Sequence, residues 1–221
     1  PSQHMRTVIA RAKKHIDPSA IIINIAKGIE NETLKIMSEV ILEVNGSISN
    51  YVTLSGPSHA EEVVSNMPTA VVAASKNIEA SKIVQDLFST NKFRVYTNED
   101  LVGVEICGSA KNVIAIAAGF CDGFGYGDNT KSALITRGIK EVARLGLKSG
   151  AKFETFFGLA GIGDIIVTCG SIHSRNRKLG ERIGRGMTLG NAVGKSNMVV
   201  EGVKSAFSIK RLSEKYEIEM P

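Results

Sequence analysis

The chain changes character at residues 99–121, which read EDLVGVEICGSAKNVIAIAAGFC. Apolar side chains in this stretch recur at spacings of three and four, which is typical of a helix, at Ile106, Ala110, Val113, Ile114 and Ala117. Because small and apolar residues occupy nearly every side, we expect a helix that is buried on most of its surface. The stretch separates a first part with alternating strand and helix signals from a second part with helix signals alone.

Strands and helices alternate before residue 99. Helices are predicted at residues 3–16, 33–44, 59–65 and 78–89, and strands at residues 20–26, 51–54, 69–74 and 93–96. The run AIIINIA at 20–26 is typical of a strand buried on both faces, and Thr33 is the predicted N-cap of the second helix. Strands separated by helices favour an α/β layer with a sheet that is at least partly parallel.

The second part has few strand signals. A helix is predicted at residues 129–148, capped by Asp128-Asn129, and shorter helices at residues 152–157, 174–185, 188–194 and 203–216. The predicted fold is therefore an α/β domain over residues 1–100 followed by an all-α domain over residues 101–221.

Composition limits the classes of function. With 43% apolar and 22% charged residues in 221, the chain is an ordinary globular protein. Lys and Arg exceed Asp and Glu by 27 − 22 = 5, but the basic residues are scattered and only 5% of residues are aromatic, which disfavours nucleic-acid binding. We expect no signal peptide at Pro1-Ser2-Gln3-His4 and no membrane segment, because we find no apolar run of about 20 residues.

The cysteines point to a reducing compartment. Cys107, Cys121 and Cys169 are odd in number and widely spaced, without a Cys/His cluster that would suit zinc. Cys107 and Cys121 lie in apolar surroundings and are predicted to be buried thiols. We therefore expect a cytoplasmic protein without a metal site.

Four features admit both a structural and a functional interpretation. Gly123–Gly127 joins two predicted helices and is best interpreted as a connection, whereas Gly158–Asp164 is either a turn or part of a site. Lys111 either reaches water from a helix end or is buried, where desolvation would lower its pKa and suit acid/base chemistry. The sequence SRNR at 174–177, at a predicted helix start, suits either a capped helix exposed to solvent or a phosphate site.

Taken together, the sequence resembles the bacterial-type NAD(P)-dependent glycerol-3-phosphate dehydrogenases. The main signature runs from Gly108-Ser109-Ala110-Lys111-Asn112 through Asp122-Gly123 to Asn129, with Ser109 and Ala110 as mild departures. Four further blocks agree in order, at residues 24–28, 54–62, 158–169 with 174–177, and 199–202. The resemblance covers nearly the whole chain.

The resemblance implies a partial Rossmann-like domain, a helical domain and an active site between them. It implies reversible hydride transfer between NAD or NADP and sn-glycerol 3-phosphate, a small-molecule phosphate substrate, for glycerophospholipid synthesis. Catalytic roles are implied for Lys111, as general acid/base, and Asp164. The implied substrate contacts are Lys27, Gly56, Ser58, Ser174, Arg175 and Asn176, and the implied cofactor contacts are Lys27, Ala60, Arg175, Val199 and Glu201. The sequence leaves a homodimer and the choice of cofactor open.

The chain begins after the strand, glycine loop and helix with which this family binds the cofactor pyrophosphate. By resemblance, about 80 family residues precede Pro1 and some tens follow Pro221. We expect a protein of these residues alone to bind NADH or NADPH weakly and to self-associate through the sheet edge near residues 20–26. Two other interpretations stay open: a related hydroxy-acid dehydrogenase, and a non-catalytic truncated fragment that acts only as a folded or assembly core.

Overall fold

Four strands form one sheet in the first part of the chain, which we describe from a computed structural model covering residues 1–47, 49–195 and 199–221. The strands are β1 (Ile22–Asn24), β2 (Tyr51–Ser55), β3 (Thr69–Ala74) and β4 (Phe93–Asn98), in that spatial order. β1 is parallel to β2 and β3 is parallel to β4, while β2 and β3 are antiparallel. The partly parallel sheet expected from the sequence is confirmed.

Helices surround this sheet and then continue alone. The helices of the first part are α1 (Met5–Ala12), α2 (Met37–Asn45), α3 (Ala60–Val64) and α4 (Ile78–Phe88). Those of the second part are α5 (Leu101–Phe124), α6 (Asp128–Lys148), α7 (Asp164–Gly170), α8 (Arg175–Gly184), α9 (Leu189–Gly194) and α10 (Glu201–Lys215). Every element that the structure describes after Asn98 is helical, so the predicted class, α/β followed by all-α, is confirmed.

The N-terminal helix and the first strand differ from the prediction. The helix predicted at 3–16 is divided into α1 and two flanking 3-10 turns. β1 is shorter than expected and lies at an edge of the described sheet, with Ile25 just beyond it 71% exposed. The prediction of a strand buried on both faces is therefore wrong, because an apolar β-branched run has the same composition at an edge as in the centre of a sheet.

Two predicted helix caps are also wrong. Thr33 does not cap α2, which begins after Ile36; its hydroxyl instead donates to the Glu30 carboxylate at 2.5 Å. Gly127 occupies the N-cap of α6, so Asp128 is the first helical residue rather than a cap. α2 ends at Asn45, one residue beyond its predicted end, and Gly46 follows with φ +84°, which favours glycine.

α5 is the core helix of the second part and packs against α6, α7, α8 and α10. Its most apolar 18-residue window has a mean hydropathy of 1.5. By length and composition alone this helix could cross a membrane, although we expected no such segment from the sequence. However, 78% of that window is buried inside the protein, as in the core helix of a soluble domain. Ile106, Ala110 and Ile114 on α5 share a core with Phe156 and Ile165.

α5 and α8 approach each other through glycines. A Cβ atom added at Gly180 would overlap the Ile116 carbonyl, and one added at Gly119 would overlap the Arg177 carbonyl. Asp122 on α5 also pairs with Arg177 on α8, with Nε to Oδ2 at 2.6 Å. These contacts fix α8 beside the second half of α5.

We expect Gly180→Ala to lower the free energy of unfolding by about 1–3 kcal/mol, because the added methyl group forces two helix backbones apart. Urea denaturation measures this change. Gly190→Ala is the matched control, since α9 has open space at that position and the substitution should be neutral or slightly stabilising. Equal losses for both variants would contradict the close packing of α5 against α8.

Candidate active site

A buried carboxylate joins two lysines from different parts of the chain. Lys111, in the middle of α5, is only 7% exposed, and its Nζ lies 2.5 Å from Asp164 Oδ1. The Nζ of Lys27 lies 2.8 Å from Asp164 Oδ2. Lys111 is therefore not a helix-end lysine that reaches water, and the alternative of a buried lysine holds.

Local sequence places Lys27 against α5. After β1 the Asn24 side chain accepts from the Ala26 N–H at 2.9 Å and donates to the Ala26 carbonyl at 3.1 Å, which turns the chain. A Cβ at Gly108 would lie 3.4 Å from Lys27 Cγ, so a side chain larger than alanine there would crowd the lysine stem. Lys27 Nζ also lies 3.5 Å from the Gly56 carbonyl, which follows β2.

Asp164 is presented by a helix that the sequence did not predict. Residues 153–163 form a 3-10 turn followed by a π turn, and α7 begins at Asp164. A Cβ at Gly161 would overlap the Phe156 carbonyl, so this glycine permits the tight entry into α7. The Thr168 hydroxyl, one turn along, donates to the Asp164 carbonyl at 2.5 Å and lies 3.3 Å from Oδ1. The Gly158–Asp164 segment thus brings Asp164 to the two lysines.

Burial and charge set the protonation of this group. Burial is the main cause that lowers the pKa of Lys111, to about 7; the charge of Lys27 acts in the same direction and Asp164 opposes both. Burial alone would raise the pKa of Asp164, but the charges of the two lysines outweigh it and hold the pKa below its ordinary value. Lys111 can therefore exchange a proton near neutral pH while Asp164 stays ionised.

The start of α8 is tied to both α5 and the segment before α10. Asn176 donates to the Asn112 side chain at 2.9 Å and accepts from the Gly202 N–H at 3.0 Å. Arg175 donates to the Val199 carbonyl at 3.1 Å. Ser174 is the N-cap, accepting from the Arg177 N–H at 3.2 Å, and its hydroxyl keeps its own hydrogen to donate. The cap is confirmed, but Ser174 and Asn176 are buried, so the start of α8 is not a helix end simply exposed to solvent, and it leaves donors for an anion.

A cavity of about 950 Å³ lies over these groups. Nine of the eleven residues predicted for the site line it: Lys27, Ser58, Ala60, Lys111, Ser174, Arg175, Asn176, Val199 and Glu201. The other two lie beside it, because Asp164 binds both lysines and the Gly56 carbonyl accepts from Ser58 at 3.1 Å. All eleven predicted residues therefore come together, although their individual roles stay predictions.

Sequence reasoning assigned no role to several polar residues near the cavity. Asn112 and Thr168 line it, as do His59 and His173. Elsewhere on α5, Glu105 is buried and accepts from Ser38, Tyr51 and Thr53 hydroxyls at 2.7, 2.5 and 2.7 Å. Burial raises the pKa of Glu105. Only Asn112 stood out in the sequence, as the neighbour of Lys111.

The fold and the cavity define a class of protein in which an α/β layer is followed by helices and a cleft lies between the two. Lys27, Lys111 and Arg175 line this cleft, so it is suited to a small anion. Among the described residues, no group of three or more His, Cys, Asp or Glu side chains is arranged to hold a metal ion.

Comparison with known proteins names the family. Residues 1–81 match the model of the NAD-dependent glycerol-3-phosphate dehydrogenase N-terminus, and residues 100–221 match the model of its C-terminus. The chain belongs to this family.

Relatives agree along the full length of the chain. It is 52% identical to a glycerol-3-phosphate dehydrogenase [NAD(P)+] of Pelotomaculum thermopropionicum, covering 100% of the chain and 64% of the relative. A Clostridium botulinum protein of the same name is 55% identical, with 100% and 66% covered. The crystal structure of glycerol-3-phosphate dehydrogenase from Coxiella burnetii superposes with a TM-score of 0.96 at 40% identity, covering 100% of the chain and 67% of that structure. The chain thus spans about two thirds of the length of these proteins.

Proposed function

We propose that the protein containing this chain is an oxidoreductase that transfers a hydride between NAD(P)H and dihydroxyacetone phosphate, forming sn-glycerol 3-phosphate for glycerophospholipid synthesis. The observation that carries the proposal is the buried Lys111–Asp164 pair, at 2.5 Å, in one cleft with Arg175 at the start of α8. The family match and the relatives' names support it.

Lys111 supplies the proton. Reduction of a ketone develops negative charge on the carbonyl oxygen, and the Lys111 ammonium donates a proton to that oxygen. In the reverse direction the neutral amine accepts the hydroxyl proton. Asp164 positions the Lys111 amine and stabilises the protonated form of Lys111 inside a buried site. Lys27 supplies a second positive charge near the reacting oxygen.

The start of α8 holds the phosphate. Ser174 and Asn176 bring side-chain donors, Arg175 brings a guanidinium, and the helix dipole adds a positive end. Binding a phosphate away from the reacting carbon orients that carbon towards Lys111.

The residues present fit the nicotinamide end of a dinucleotide. Lys27, Ala60, Arg175, Val199 and Glu201 line the cleft together with the apolar side chains of Ile25, Leu54, Val71 and Phe93. Apolar surface for a ring, with a few charged groups beside it, suits nicotinamide and its ribose. When bound, the nicotinamide supplies the hydride.

The direct test is NAD(P)H oxidation by dihydroxyacetone phosphate, catalysed by the protein that contains this chain. Dihydroxyacetone, which lacks phosphate, is the control substrate and should react far more slowly. Turnover of hydroxy acids without phosphate would favour a related dehydrogenase. No turnover by a protein whose intact mass includes a complete cofactor domain would overturn the proposal.

Arg175→Ala should lower kcat/KM for glycerol 3-phosphate. The loss of transition-state stabilisation should be about 2–3 kcal/mol, the scale of a charged hydrogen bond to phosphate. Steady-state kinetics with glycerol 3-phosphate and with glycerol measures the difference, and glycerol should lose much less. Equal losses on both substrates would instead assign Arg175 to the cofactor or the fold.

Organisation and location are further parts of the proposal. We propose residues 1–100 as the cofactor-side domain and residues 101–221 as the substrate-side domain, since the last strand ends at Asn98 and α5 begins at Leu101. A cytoplasmic location is supported by three free, buried cysteines. A homodimer is supported by an exposed cluster of three aromatic side chains in contact, Phe120, Phe124 and Tyr126.

A further inference from the structure

We propose that His59 is a further substrate-binding residue, with its ring Nε2–H donating a hydrogen bond to the phosphate of the ligand in the cleft. This inference rests on the proposed function, because it concerns the same cleft and the same class of phosphorylated substrate.

His59 stands where the two parts of the chain meet. It is the N-cap residue of α3, between Ser58 and Ala60, and it lines the same cavity as Lys111 and Arg175. His173 also lines this cavity, with the two ring centroids 6.1 Å apart and the planes tilted by 51°. His173 immediately precedes the N-cap Ser174, so His59 faces the segment that presents the phosphate donors.

One ring nitrogen of His59 lacks a partner. Its Nε2 is shielded from water and has no hydrogen bond among the described residues. An unpaired buried nitrogen is unfavourable, and a ligand that supplies the missing partner gains that free energy as affinity. His59 lines the cavity, so a molecule bound there is the partner available to this nitrogen.

The charges around the ring select a donor role. Burial and the charge of Lys111 lower the pKa of His59, against the opposing carboxylates of Asp164, Glu61 and Glu62, so the ring is neutral near pH 7. A neutral imidazole carries one N–H and one acceptor nitrogen, and it takes the tautomer that its partner requires. A phosphate dianion offers only acceptors, so it selects the tautomer with hydrogen on Nε2.

The test measures binding of inorganic phosphate and of glycerol 3-phosphate by calorimetry, without cofactor turnover. His59→Leu should raise both dissociation constants roughly tenfold, the effect of one lost hydrogen bond to a charged group. His59→Gln, whose amide N–H takes nearly the place of Nε2–H, should keep them within about threefold. His173→Leu is the matched control for ring packing and should also stay within about threefold.

Two results would overturn the inference: unchanged phosphate binding in His59→Leu, or equal weakening in His59→Leu and His173→Leu, which would show that the rings only pack against each other. If His59→Leu does not fold, nitrogen NMR of the unmodified protein decides, because phosphate must shift the His59 Nε2 signal and a constant signal refutes the contact. Phosphate binding is independent of hydride transfer. A protein that binds phosphate through His59 but does not oxidise NAD(P)H would therefore refute the proposed function alone.

Discussion

Lys111→Met is expected to lower kcat at least roughly 100-fold, with Lys111→Ala at least as severe, because each removes the group that we propose exchanges the proton with the substrate oxygen. Methionine fills most of the space of the lysine stem, so the core of α5 should stay packed. Asp164 keeps Lys27 as a partner at 2.8 Å, which avoids leaving the buried carboxylate unpaired. The loss should therefore be one of chemistry rather than of folding.

Steady-state kinetics in the direction of ketone reduction measures this loss, and urea denaturation checks the fold. Lys140→Met, on the exposed side of α6, is the control for removing a lysine and should retain normal kcat. A near-normal kcat with a raised KM in Lys111→Met would move Lys111 from proton transfer to binding.

The bounds and burial of several single helices and strands were predictable because they depend on local sequence. β3 has the bounds 69–74 that its β-branched run predicts, and α4 differs from its prediction by one residue. The buried character of α5 follows from apolar residues on all its sides.

Features set by distant contacts were not predictable from local patterns. The position of β1 at an edge was expected only from the resemblance, because its apolar composition carries no information about which strands pair. α7 was missed because its entry follows three glycines at 158, 161 and 163, which ordinarily indicate a turn. The buried Glu105 could not be recognised either, because its hydroxyl donors come from α2 and β2, far along the chain.

The site itself was predicted by resemblance more than by residue chemistry. From the sequence alone, Lys111 was equally a surface lysine or a buried one, and only the structure places its Nζ beside Asp164. Lys27 and Asp164 are 137 positions apart in the sequence, so no local pattern predicts the contact between them. Resemblance to the family motifs placed both residues in one site, because family motifs reflect contacts between residues that are far apart in sequence.

Asp164→Asn should affect both stability and chemistry. The carboxylate pairs with two amines and is only 1% exposed, so its loss leaves Lys27 and Lys111 facing each other without a counter-charge. Breaking a buried ion pair on one side typically costs about 3–5 kcal/mol, and we expect a destabilisation on that scale. We also expect kcat to fall at least roughly 100-fold, because Lys111 loses the group that positions it.

The pH profile separates these two effects. In the proposed mechanism ketone reduction needs protonated Lys111, so kcat/KM in that direction should fall as pH rises through about 7, the pKa of Lys111. Asp164 raises that pKa, so the falling limb should move to lower pH in Asp164→Asn. Asp122→Asn, which removes the partner of Arg177 away from the cleft, should reduce stability and leave the limb in place. A limb that stays at the same pH in Asp164→Asn would mean that another group supplies the proton.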